Sequence, residues 1–72
     1  MDAAKFQRYL AVVDQFKEKH PDWRRGQVLF NALYEVDPRE ADLARGVPGL
    51  DPFHNSAAGP VFLAWLQGGK SV

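Results

Sequence analysis

Apolar residues recur every three or four positions over the first part of the chain. In residues 3–19 they fall on one stripe of a helical projection, made of Phe6, Tyr9, Leu10, Val12, Val13 and Phe16. Asp2 can cap this segment, and Pro21 ends it because a proline pushes the residue before it out of the α region. The pattern predicts an amphipathic helix over residues 3–19.

A second helix is expected from Trp23 to Val36, with Asp22 as its cap. Apolar residues cover roughly two thirds of its circumference, which is typical of the central helix of a bundle. Its polar residues form a narrow strip of Arg24, Gln27, Asn31 and Glu35. Gly26 lies among the apolar positions, where glycine costs about 1 kcal/mol relative to alanine, so we expect another backbone or a ring close to it.

The segment after the second helix carries the signals of a new helix start. Asp37 is placed as the cap, Pro38 as the first helical residue, and Glu40 as the acid of a capping box. We expect this third helix to stop at Arg45, with Gly46 in the left-handed conformation after it.

Turn-forming residues dominate the next stretch, residues 47–59. They predict a long ordered loop, in which Asp51 could begin one helical turn. Pro60 can then start a last helix over residues 61–67, closed by Gly68–Gly69. No alternating strand pattern appears.

These elements predict one all-α domain over residues 1–72. We expect a compact bundle of three to four short helices with one long ordered loop. The first two helices should form an antiparallel pair, and the last should pack across them.

Composition narrows the class of protein. The chain has 72 residues, 46% of them apolar, with nine basic and nine acidic side chains and no cysteine. These values are typical of an ordinary globular domain and exclude a disulfide scaffold, thiolate catalysis and zinc knuckles. The longest apolar run, Val61–Leu66, is far shorter than the ~20 residues that cross a bilayer, so we expect a cytoplasmic protein. We also expect no cofactor.

The densest group of reactive side chains is Asp51, His54, Asn55 and Ser56. Neighbours in sequence cannot easily align as a hydrolase triad, so we expect Asp51 to act as a cap and the other three to form loop hydrogen bonds. His20 and His54 lack the spacing of metal ligands. The sequence therefore predicts no catalytic residue, no metal site and no enzyme.

A basic corner is expected at the turn between the first two helices. Lys17, Lys19, Arg24 and Arg25 gather there beside Trp23 and could hold phosphate groups. This supports an alternative function as a nucleic-acid-associated regulatory protein. The zero net charge, and the narrow polar strip of the second helix, argue against it.

The chain has more aromatic residues than so small a core readily encloses, with nine in total. We expect part of them to form an exposed patch that binds a protein partner, because tryptophan, tyrosine and arginine dominate binding hot spots. The predicted partner-binding residues are Trp23, Arg24, Gln27, Asn31, Tyr34, Glu35, Phe53, Leu63 and Trp65. In the opposing interpretation these residues form one core, which Phe53 closes as a plug. In a third interpretation a second copy of the chain covers the surplus apolar surface, so that the protein is a homodimer.

A string of motifs resembles short bacterial and phage proteins of unknown activity. It consists of WRRGQVLFNALY at residues 23–34, DP at 37–38, RG at 45–46, DPFH at 51–54 and FLAWL at 62–66. The resemblance implies no catalytic or binding residue. It implies the setting of a small accessory protein, phage- or prophage-encoded, that modulates or inhibits a host complex.

Overall fold

The structure is a computed structural model and describes residues 1–68. Its helices are α1 (Ala3–Lys19), α2 (Arg25–Val36), α3 (Pro38–Arg45) and α4 (Gly59–Leu66), and a short 3₁₀ helix (Ser56–Ala58) precedes α4. These residues contain no strand. The predicted all-α bundle of short helices with one long ordered loop is confirmed.

Helix α1 has the predicted bounds. The Asp2 carboxylate accepts a hydrogen bond from the backbone N–H of Lys5 at 2.8 Å and caps the first turn. At the other end His20 leaves the helical conformation directly before Pro21. Tyr9 and Val13 are buried against the rest of the bundle.

Helix α2 begins two residues later than predicted, and Asp22 is not its cap. The chain turns at residues 21–23, where the N–H of Trp23 donates to the carbonyl of His20 at 3.0 Å. In the first turn of α2 the Gly26 N–H donates to the Ser56 hydroxyl at 3.0 Å. Arg24 occupies the cap position with an extended backbone and no side-chain cap. Ser56, thirty positions away, accepts from an N–H of the first turn instead, a partner that no local pattern indicates.

Helix α2 is the centre of the bundle, as predicted, and contacts α1, α3, the 3₁₀ helix and α4. The pair with α1 is antiparallel, since Lys5 near the start of α1 forms an ion pair with Asp37 just after α2. Tyr9 donates its hydroxyl to the Leu29 carbonyl at 2.8 Å. The buried core is made of Tyr9, Val13, Val28, Leu29, Phe30, Ala32, Leu33, Ala41, Ala44, Leu50, Phe62 and Leu66.

Gly26 is the point of closest approach in the fold. A Cβ atom added there would lie 1.9 Å from the carbonyl oxygen of Pro52 and 2.8 Å from its carbonyl carbon. The predicted close passage of another backbone is therefore confirmed. Because Pro52 belongs to the long loop, this crossing sets the loop directly onto the first turn of α2.

The end of α3 differs from the prediction. Gly46 has φ −81° and is not left-handed, because the chain continues in tight turns in which the Gly46 and Val47 N–H groups donate to the last carbonyls of α3. The left-handed glycine of this loop is Gly49, with φ +76°. Asp51 begins no helical turn, and Asn55 caps the 3₁₀ helix in its place.

Helix α4 occupies nearly the predicted span. Gly68 follows it with φ +132°, as its expected role in closing the helix requires, whereas Gly69 lies outside the described residues. Phe62 and Leu66 are fully buried, and α4 packs on α2. It meets the start of α1 where the amino nitrogen of Met1 donates to the Leu66 carbonyl at 2.9 Å.

Candidate functional site

Exposed aromatic side chains gather on the outer side of α2. Tyr34 is 48% exposed, and the rings of Trp23 and Phe53 are half-buried. Two shallow depressions of about 460 and 380 Å³ meet here, the first reaching Trp23 and the second reaching Phe53. Asn31 and Tyr34 line both, so they form a ridge between them. We call Trp23, Asn31, Tyr34, Glu35 and Phe53 the aromatic surface.

Trp23 is held in place by two rings of the α1–α2 turn. Its indole stacks on the imidazole of His20, with ring centroids 3.8 Å apart and planes 6° apart. The edge of Phe16 meets it at 5.9 Å. These contacts fix the Trp23 ring against the α1–α2 turn.

Phe53 is fixed by the loop rather than by a helix. The Asp51 carboxylate accepts a hydrogen bond from the Phe53 N–H at 2.9 Å, and the Arg24 guanidinium donates to the Phe53 carbonyl at 3.0 Å. Its ring packs edge-on against Phe30 at 6.1 Å. The crossing at Gly26 is next to these contacts, so the start of α2 positions Phe53 beside the aromatic surface's ridge.

Tyr34 has a cation partner that the sequence did not reveal. The Arg45 guanidinium lies 5.8 Å from the centroid of the Tyr34 ring and 5.1 Å from that of Phe30. Arg45 also lines the depression that reaches Phe53. Sequence reasoning placed Arg45 only as the last residue of α3, because nothing local indicates which way the end of α3 faces.

The structure brings together six of the predicted partner-binding residues. Those on or beside the aromatic surface are Trp23, Arg24, Asn31, Tyr34, Glu35 and Phe53. Gln27 is half-buried and lines neither depression. Leu63 is half-buried and packs on the core. Trp65 lines a different groove of about 310 Å³ with Val47, Leu50 and Val61. That groove shares no residue with the two depressions.

The predicted basic corner is divided. Arg24 points to the Phe53 carbonyl, whereas Lys17 and Arg25 line a cavity of about 330 Å³ on the inner side of the turn. Lys19 is exposed and lines neither. All four cations are exposed, but only Lys17 and Arg25 line the same cavity.

The reactive cluster of the long loop has structural partners. The side chains of Asp51, Asn55 and Ser56 each accept a backbone N–H, from Phe53, Ala57 and Gly26 respectively. His54 was expected to form a loop hydrogen bond, but its ring instead meets the edge of Phe53 at 4.8 Å. Within residues 1–68 no three metal-ligating side chains come together.

Two ionisable groups with shifted pKa values lie in the frame beneath the surface. Burial raises the pKa of the Tyr9 hydroxyl far above its ordinary value of 10.0, and the positive charge of Arg25 partly opposes the rise. The hydrogen bond from Lys5 lowers the pKa of Asp37 below its ordinary value of 3.8. Both groups link α1 to the α2–α3 region, so they contribute to the frame rather than to the ridge.

The fold and the site together are those of a small all-α domain with an exposed aromatic ridge. Comparison with known proteins found no matching family model, no matching curated protein and no matching solved structure. Across the described residues, no helix combines the length and the apolar character that crossing a bilayer requires.

Proposed function

We propose that this protein is a small, non-enzymatic, cytoplasmic interaction module that docks on a protein partner through the aromatic surface. The observation that carries the proposal is the exposure of Tyr34 on a ridge between two depressions, each ending at an aromatic ring. A large ring so exposed adds little to the core. It is available to fill a pocket of a partner.

The arrangement of groups supports a protein partner. The Tyr34 ring lies beside Asn31 on the ridge, and Glu35 and Arg45 each line one of the two depressions. Protein interfaces combine anchoring rings of this kind with polar groups that fix orientation. The resemblance to small accessory proteins extends the proposal to a modulator or inhibitor of a larger host complex.

The partner can be identified by crosslinking from the ridge. A photoreactive phenylalanine analogue at position 34 should form a covalent product with one protein, whereas the same analogue at position 61 should not. Val61 is the matched control because it is 60% exposed and lies in the separate groove. Equal products from both positions would contradict docking through the ridge.

Affinity for the purified partner then tests the energetics. We expect Tyr34→Ala to weaken binding by about 2 kcal/mol, the size of a hot-spot loss, and Val61→Ala to leave it within about 0.5 kcal/mol. Binding should change little with salt. A complex with nucleic acid that weakens steeply with salt, and is insensitive to Tyr34→Ala, would favour the alternative function.

A further inference from the structure

We propose that the open cavity between the end of α1 and the start of α2 binds an apolar carboxylate. This turn cavity has a volume of about 330 Å³. The residues that matter for its chemistry are Val13, Val28, Leu29, Trp23, Lys17 and Arg25. None of them except Trp23 belongs to the aromatic surface, so this proposal does not depend on the proposed function.

The floor of the turn cavity is apolar. Val13, Val28 and Leu29 line it and belong to the buried core. The stacked rings of His20 and Trp23 are among its walls. A ring or a short alkyl chain placed there would bury its apolar surface against the protein, and no polar group of the floor would be left without a hydrogen bond.

The other side of the turn cavity carries positive charge. Lys17 and Arg25 are the two lysine or arginine residues of its lining, which contains no acidic residue. Within residues 1–68, the two ion pairs are Lys5–Asp37 and Asp42–Arg45, so neither cation of the cavity has an acidic partner. A carboxylate next to an apolar group complements this lining, because Lys17 and Arg25 can both donate charged hydrogen bonds to its oxygens.

The charge of Arg25 acts toward the interior as well as toward solvent. It opposes the rise in the pKa of Tyr9 that burial produces, and Tyr9 is a core residue of α1. A carboxylate bound in the turn cavity would lie in the same field.

The volume limits the ligand. Small-molecule sites occupy about 300–1,000 Å³, so the turn cavity is at the lower end and accepts one ring or one short chain besides the carboxylate. Two sources have this chemistry: a free carboxylic acid, and the C-terminal carboxylate of a peptide that ends in an apolar residue.

The first experiment compares probes on the full chain by ¹⁵N NMR titration. 4-Phenylbutyrate is compared with the neutral 4-phenylbutanol, and an acetylated tripeptide ending in leucine is compared with its C-terminal amide. We expect saturable shifts at the Trp23 indole and the Arg25 side chain with the acids, and binding at least fivefold weaker with their neutral analogues. Whichever acid binds more tightly identifies the source.

The second experiment removes each charge. Lys17→Met and Arg25→Met should each weaken binding of the preferred acid by about threefold to tenfold, since partly exposed charged hydrogen bonds are worth on the order of 1 kcal/mol. Lys19→Met is the control, because Lys19 is a nearby cation outside the lining. It should leave the affinity unchanged, and the NMR spectrum of each variant reports whether it is folded.

Three results would overturn the proposal. The first is the absence of saturable binding by either acid at millimolar concentration. The second is equal affinity for an acid and its neutral analogue. The third is a loss with Lys19→Met as large as that with Lys17→Met, which would show general attraction of anions rather than a site.

Discussion

Both sides of helix α2 carry large apolar or aromatic residues, but these residues differ in burial. On the inner side, Leu29 and Leu33 are fully buried, and Gly26 lies against the backbone of the long loop. On the outer side, Tyr34 is half exposed, and the guanidinium of Arg45 at the end of α3 lies 5.8 Å from the centroid of its ring. The burial of an apolar residue on this central helix therefore depends on which neighbours the rest of the chain supplies.

A large effect on the inner side is expected from Gly26→Ala. Its new Cβ would overlap the Pro52 carbonyl, and backbone atoms cannot yield as the end of a side chain can. This overlap outweighs the ~1 kcal/mol that alanine gains over glycine inside a helix, so we expect a net loss of about 2 kcal/mol or more in the free energy of unfolding. Urea denaturation measures it.

Gly46→Ala is the matched control for this substitution. Gly46 has a negative φ, and its added Cβ would lie 3.6 Å from the nearest atom, the Leu43 carbonyl oxygen. The free energy of unfolding should stay the same or rise by about 0.5 kcal/mol. Equal changes in the free energy of unfolding for the two variants would contradict the close approach of the Pro52 carbonyl to Gly26.

Substitutions on the outer side are expected to change the free energy of unfolding only slightly. Leu33→Ala should lower the free energy of unfolding by 2–5 kcal/mol, because it opens a cavity at a fully buried position. Tyr34→Ala, at the very next residue, should change it by about 0.5 kcal/mol or less. A Tyr34→Ala loss comparable to that of Leu33→Ala would show that Tyr34 serves the core, and the proposed docking role would lose its basis.

Tyr9→Phe removes the hydrogen bond between α1 and the Leu29 carbonyl, with an expected cost of about 1 kcal/mol. The substitution also changes the response to alkali. Because the pKa of Tyr9 is raised in the folded state, the unfolded chain loses the hydroxyl proton first as the pH rises. The contribution of Tyr9 to the free energy of unfolding is therefore complete below pH 10.0 and decreases above it. Thermal denaturation in alkaline buffers should show a decrease for the native protein that is smaller in Tyr9→Phe.

A modest effect is expected at Asp37, where two contributions to the free energy of unfolding can be separated. Asp37→Ala removes both the cap of α3 and the ion pair with Lys5, at a cost of about 1 kcal/mol. Asp37→Asn keeps an oxygen for the Glu40 N–H and should cost less. Asp42→Asn, in an exposed pair, is the control and should cost almost nothing.

The same carboxylate gives a dependence on acid. The pKa of Asp37 is lowered in the folded state, so its contribution is complete above the unfolded value of 3.8 and is lost as the pH falls below it through the folded value. Asp37→Asn should abolish this part of the acid sensitivity. An unchanged acid midpoint in that variant would exclude Asp37 as its source.

Local signals in the sequence determined the class of fold and most helix bounds. The apolar stripe and the cap at Asp2 defined α1, and the start of α3 at Asp37–Pro38 followed from capping chemistry. These predictions succeeded because caps, prolines and helical periodicity act within a few residues. Gly26 predicted the close approach of another backbone or a ring, since a glycine inside a helix is costly and needs a steric cause.

The tertiary structure alone decided which partner each of these residues meets. It supplied Ser56 to the first turn of α2, Pro52 to Gly26, and Arg45 to Tyr34. It also divided the predicted aromatic patch, leaving Trp65 in a groove of its own. These pairings join positions far apart in the chain, and their geometry depends on how loop and helices pack together, which no local pattern of residue types encodes.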